Sequence, residues 1–147
     1  MALDLESLEP GALIMLLPRN VIQTIEQANI AATEESRSAA MITLDQMGPH
    51  RLKGYPFIRN FSSGRMSSLA PGITWGTVAF FIGMRRTRVK ADSRSSTYTR
   101  AHSVRRPVFF INGTHALLDI TQCIELDLIP EPVLSRLQQN LQDLNDN

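Results

Sequence analysis

The sequence predicts an α+β fold: an antiparallel sheet of about four strands with a long basic β-hairpin arm, an N-terminal long helix and a C-terminal amphipathic helix. Three observations carry this expectation. Helix formers fill residues 18–47, β-rich runs fill 73–122, and a helical stripe returns over 131–145, with none of the strand–helix alternation that builds a parallel sheet. Asn112-Gly113 stands between two apolar runs, which is the strongest short-range hairpin signal. The chain has 147 residues, which suits one domain spanning 1–147 and burying roughly 70% of the unfolded chain's surface.

The first helical stretch begins at Pro18, where a ring with fixed φ and no N–H suits a helix start. Val21, Ile22, Ile25, Ala28 and Ala32 give one apolar face at helical spacing, continued less regularly by Ala39, Ala40, Ile42 and Leu44. The polar run Thr33 to Ser38 interrupts that face, so either one long helix or two pieces hinged near Glu35 is expected. Gly48-Pro49 ends the stretch.

Residues 48–72 read as an irregular loop. They hold four Gly (Gly48, Gly54, Gly64, Gly72), three Pro (Pro49, Pro56, Pro71) and the aromatics Tyr55, Phe57 and Phe61. A loop this long inside a compact domain is usually functional or held by a partner. The aromatics either fold back on their own core or dock on another subunit.

From Ile73 the period changes. Ile73 to Ile82 is β-rich and apolar on both alternating faces, the pattern of a central strand covered on each side. A narrow Ala-rich helix and a short closing helix are too little to cover both faces. Part of this strand, or the loop Tyr55 to Phe61, is therefore expected to be buried only in an assembly. The strand runs into Met84 to Lys90, then a polar stretch, then Thr97 to Val104 returning toward Pro107, a long hairpin with a core base and an arginine-bearing tip. Val108 to Ile111 and Thr114 to Ile120 form a second hairpin about Asn112-Gly113. Val133, Leu134, Leu137, Leu141 and Leu144 mark the closing helix, with Glu131 at its start complementing the helix dipole.

Charge is laid out in blocks. Between Gln46 and Arg106 twelve cations face one acid, Asp92, while residues 1–45 and 107–147 each sum to −5, leaving +1 overall. A positive middle with negative ends suits a surface that meets phosphate or the acidic face of a neighbouring copy. The residues expected to contact a partner or nucleic acid are Arg85, Arg86, Arg88, Lys90, Arg94, Arg100, Arg105 and Arg106 of the arm, with Tyr55, Phe57 and Phe61 of the loop.

Chemistry-bearing patterns are thin. His50, His102 and His115 fall in separate segments without metal-ligand spacing, and no Gly-rich phosphate loop or GxSxG elbow occurs, so no catalytic residue, metal or other cofactor, nor a small-molecule substrate, is expected. Cys123 with His115 is a conceivable nucleophile pair, but Cys in an apolar stretch usually acts as a buried small hydrophobe. The single Cys123 forms no internal disulfide, and the acidic start Met1 to Glu6 lacks the charged leader and apolar region of a secretory signal. The longest apolar run near the start, Ala12 to Leu17, and the richer stretch Val78 to Ile82 are far short of the ~20 residues that span a bilayer, so no membrane role is expected.

Two roles compete for the basic arm. Arginines outnumber lysines thirteen to two, and Arg grips phosphate and stacks on bases better than Lys, which suits DNA contact. In outline the helix, basic arm and helix are similar to architectural DNA binders, although the arm lacks their Pro wedge and the acidic ends would oppose phosphate. The other role is an arm that reaches to a neighbour whose acidic ends receive it. In general character residues 18–145 resemble the small α+β ring subunits of tailed-phage virions, such as head-to-tail connector, tail-terminator and baseplate proteins. These share a sheet, flanking helices and long intersubunit hairpins. The resemblance implies a non-catalytic structural subunit, homo-oligomeric and bound to other assembly subunits, located in a virion. Without a viral origin, the cytoplasm is the expected setting.

Overall fold

A computed structural model describes residues 8–31, 33–59, 66–67, 72–89 and 102–146. In chain order the described elements are β1 (Leu13–Leu16), α1 (Arg19–Ala31), α2 (Glu34–Met47), β2 (Ile58–Arg59), β3 (Met66–Ser67), β4 (Val78–Val89), β5 (His102–Ile111), β6 (Thr114–Leu118), β7 (Cys123–Glu125) and α3 (Glu131–Asn145). The molecule is α+β with a wholly antiparallel sheet in the order β3-β2-β6-β5-β4-β1-β7. Among the described residues seven strands occur rather than about four, and five of them are longer than two residues.

The extra strands come from segments whose patterns are too short to announce themselves. β1 has only four residues, yet it lies between β4 and β7, pairing Leu13 with Phe80 and Leu16 with Cys123. The stretch 48–72 contains a 3₁₀ turn, Pro49–Leu52, and the two-residue strands β2 and β3.

The N-terminal helical stretch is two helices instead of one long helix. Thr33 is extended, its hydroxyl accepts from the Ser36 N–H (3.1 Å), and the Ser36 hydroxyl accepts from the Thr33 N–H (3.0 Å), a reciprocal box that starts a new helix. The one hydrogen of the Ser36 hydroxyl is shared between the nearer Thr33 carbonyl (2.7 Å) and the Ala28 carbonyl of α1 (3.2 Å), which brings the start of α2 against the end of α1.

The Asn112-Gly113 hairpin is present. Asn112 and Gly113 have φ of 51° and 85°, so both central residues take the positive φ that a type I′ turn requires. Ile73 to Thr77, by contrast, is a turn and not strand. Gly76 sits at φ +89°, and the Thr77 hydroxyl donates to the Thr74 carbonyl (2.7 Å), so β4 begins only at Val78.

The sheet curls so that one face becomes an inner core. Ile14, Leu16, Ile58, Ala79, Phe81, Phe109, Ile111, Ala116, Leu118 and Cys123 form one buried cluster across strands from both ends of the sheet. Gln122, just before β7, meets the backbone of Phe57, just before β2, with its amide oxygen accepting from the Phe57 N–H (3.0 Å). On the outer face, Met15 and Ile124 pair across β1 and β7 and pack with Val21, Ile25, Leu44, Val133 and Leu137 of the helices. The helices therefore cover the β1–β7 end of the outer face.

Candidate interaction surface

The rest of that outer face carries the most unusual surface of the described molecule. Leu13, Phe80 and Phe110 stand in register across three adjacent strands, and Val78 and Ile82 flank Phe80 along β4. All five are between 38% and 50% exposed. Of the stretch Ile73 to Ile82, read from sequence as a strand covered on each side, Ile73, Ala79 and Phe81 are buried in the inner core, and within β4 the buried positions of this stretch are Ala79 and Phe81. The outer row ends at His115, which stacks edge-on with Phe110 at a centroid distance of 5.3 Å.

This row runs into the arginines. The register of β4 with β5 shifts between Phe81 and Gly83, and beyond the shift Arg85 faces Arg106 and Arg86 faces Arg105. Neither strand contains an acid. Like charges directly opposite on a sheet repel. Arg85, Arg86 and Arg105 are exposed and Arg106 is partly buried. By alternation, Gly83, Arg85, Arg106 and Val108 share the outer face with Phe80 and Phe110, while Arg86 and Arg105 point the other way. Arg88 lies in β4, which pairs with β5 as far as Val89 and His102. Lys90, Arg94, Arg100 and Phe61 lie outside the described residues.

Tyr55 and Phe57 are both 52% exposed, and Pro56 between them is buried. Tyr55 lines an open groove of about 410 Å³ with Lys53, Trp75, Leu141 and Leu144, between the turn before β4 and the end of α3. Trp75 packs against both apolar clusters, so it joins the helical layer to the sheet.

The chain matches no family model, no curated protein and no solved structure. The reading of this surface therefore rests on its own chemistry.

Cys123 and His115 are not brought together. Cys123 belongs to the inner core, where its thiol donates to the Ile120 carbonyl (3.7 Å), whereas His115 is on the outer face. Burial, with a further contribution from the Asp119 charge, pushes the Cys123 thiol up to about 12, so at neutral pH it is protonated and a poor nucleophile. Among the described residues no group of three or more His, Cys, Asp or Glu is placed to hold a metal ion, and no helix is long and apolar enough to cross a membrane.

Sequence reasoning expected part of the strand that holds Val78, Phe80 and Ile82 to be buried only in an assembly, because there is too little helix to cover both faces, but it did not say which face is open and did not point to Leu13 or Phe110. Apolar character on both faces of a strand reads the same whether the second cover is part of the domain or another molecule.

Proposed function

We propose that the protein is a non-catalytic structural subunit of a larger oligomeric assembly, of the tailed-phage virion type that residues 18–145 resemble. A head-tail connector, tail or baseplate position suits the reading. The observation that carries it is the row Leu13, Phe80 and Phe110 with Val78 and Ile82, exposed in the middle of a sheet and continuous with a paired set of arginines. Large exposed apolar patches with polar rims mark interaction sites.

Magnitudes indicate how such a surface would work. Removing the exposed half of each of the five side chains from water is worth about 1 kcal/mol apiece. The gross gain of roughly 5 kcal/mol is no larger than the cost of bringing two molecules together. The apolar row alone does not hold copies in place, and the arginines beside it must contribute. Their natural counterparts are the acid-rich ends of the chain.

The test is sizing of the purified protein by multi-angle light scattering at low and high salt. A salt-sensitive oligomer is expected, because surface charges are screened beyond about 10 Å at 0.1 M salt. A monomer under all conditions would rule the assembly out.

A second reading, nucleic-acid binding through the arginine-rich β-arm, is favoured by the positive charge that the cross-strand neighbours Arg85–Arg106 and Arg86–Arg105 gather at one end of the sheet, which suits phosphate oxygens. With about six phosphate contacts, duplex affinity would fall roughly a thousandfold between 50 and 200 mM salt. Absence of duplex binding at 50 mM salt removes this alternative.

A further inference from the structure

From the pairing of two surfaces of this chain we infer that the outer face of α2 docks on the exposed β1–β4–β5 face of a second copy, giving a head-to-tail contact. The inference rests on the assembly reading and names the surfaces that would make it.

The sheet side is an apolar centre with a basic end. Strand spacing and rise make the patch from Leu13 to Phe110 and from Val78 to Ile82 roughly 10 by 14 Å. That is a small part of the ~800 Å² each partner gives to a standard interface, so it forms the centre and the surrounding residues must form the rim. Arg85 follows Ile82 by three residues, about 10 Å along the strand on the same outer face.

The helix side has the opposite layout. Glu35, Ala39, Ile42 and Gln46 recur at helical spacing and are all exposed, Ile42 at 59%. The buried side of α2 is carried by Ala40 and Leu44, packed into the helical core. An apolar centre of Ala39 and Ile42 is thus bounded by acids at both ends, Glu34 and Glu35 before it and Asp45 after it. Two of these acids already have partners: Glu34 pairs with Arg37 (3.1 Å) and Asp45 with Arg136 (3.2 Å). Among the described residues Glu35 makes no ion pair.

The lengths agree. Seven residues of helix separate Glu35 from Ile42, a rise of about 10 Å, the same as the distance from Ile82 to Arg85. With Ile42 set among Phe80, Ile82 and Phe110, Glu35 comes within side-chain reach of Arg85. Because the two surfaces lie on different elements, each copy offers one and receives the other. Such a contact closes into a ring or runs on as a filament.

Two single variants test the contact, Ile42→Glu and Phe80→Glu, each at an exposed position, with circular dichroism to verify the fold and sedimentation velocity to read association. Each is expected to raise the apparent Kd about tenfold or more, the effect of losing a central apolar contact. Mixed in equal amounts, the two variants are expected to form a heterodimer and nothing larger, since only one intact pair of surfaces remains. Should Phe80→Glu misfold, Arg85→Glu serves in its place. Combining Glu35→Arg with Arg85→Glu is expected to recover association that each change alone weakens; failure to recover overturns the assigned orientation. Loss of association in Phe80→Glu with none in Ile42→Glu would mean that sheet faces meet each other, and overturns the inference. Unchanged association in both variants overturns it while leaving the assembly reading in place. A wild-type protein that stays monomeric at every concentration overturns both.

Discussion

The Cys123 thiol is enclosed by the inner core, and its proton is held because the thiolate would lose its water. Its folded value of about 12 lies above the ordinary 9.0, so the folded state keeps a proton that the unfolded chain releases. The resulting stability is fully present below pH 9.0 and is lost as pH rises toward 12. Urea unfolding at several alkaline pH values is expected to show wild type losing up to about 4 kcal/mol more than Cys123→Ala across this window. Parallel curves for the two proteins would contradict a buried thiol. Gly76 is another residue set by its surroundings: φ is +89°, and a Cβ there would run into the Leu141 side chain. Gly76→Ala is expected to cost about 1–2 kcal/mol in thermal or urea unfolding, chiefly from the left-handed backbone. The need for glycine here was not legible in the sequence, because Ile73 to Ile82 reads as one β-rich run until the turn closed by Thr74 and Thr77 is seen.

Local chemistry was legible in some elements and masked in others. Asn112-Gly113 specifies its turn by itself, since few residue pairs accept positive φ twice, and the α+β class follows from the order of helical and β-rich runs. The break between α1 and α2 was half visible: the polar run interrupts the apolar stripe, but the reciprocal Thr33–Ser36 box replaces the usual Glu or Gln with Ser and so escapes the common signature. Thr33→Ala is expected to destabilise the protein by about 1 kcal/mol, read as a lower urea midpoint with an unchanged slope. Strands β1, β2, β3 and β7 were missed because two to four residues are too few to show a period, and their pairing is decided by distant partners such as Phe80 and Leu118. Of the candidate site, the arginines of β4 and β5 could be named from charge alone. The apolar row beside them was half legible: the shortage of helix pointed to the strand of Val78, Phe80 and Ile82, but which face stays open, and that Leu13 and Phe110 extend it, depends on strand pairing over long distances.

At the scale of the whole molecule, the layout is one curled sheet with its helices at one end of the outer face and an uncovered apolar row at the other. A domain that completed its own core would place helix over Phe80 and Phe110; among the described residues the three α-helices pack on Met15 and Ile124 and on one another. If the uncovered row is filled by another copy, folding and association are linked, because only the folded chain presents both surfaces. Stabilisation then grows with concentration, reaching about 2.7 kcal/mol when the protein stands at 100 times its Kd. For a chain of this size, each kcal/mol is worth roughly 2–4 °C in Tm. The Tm of wild type is therefore expected to rise by about 5–10 °C between a dilute sample and one concentrated to that level, and to rise less in high salt, where the arginine contacts are screened. Phe80→Glu should melt at one temperature throughout. Calorimetry over a hundredfold concentration range makes the comparison directly, and a wild-type Tm independent of concentration would show that the sheet face is left open in solution.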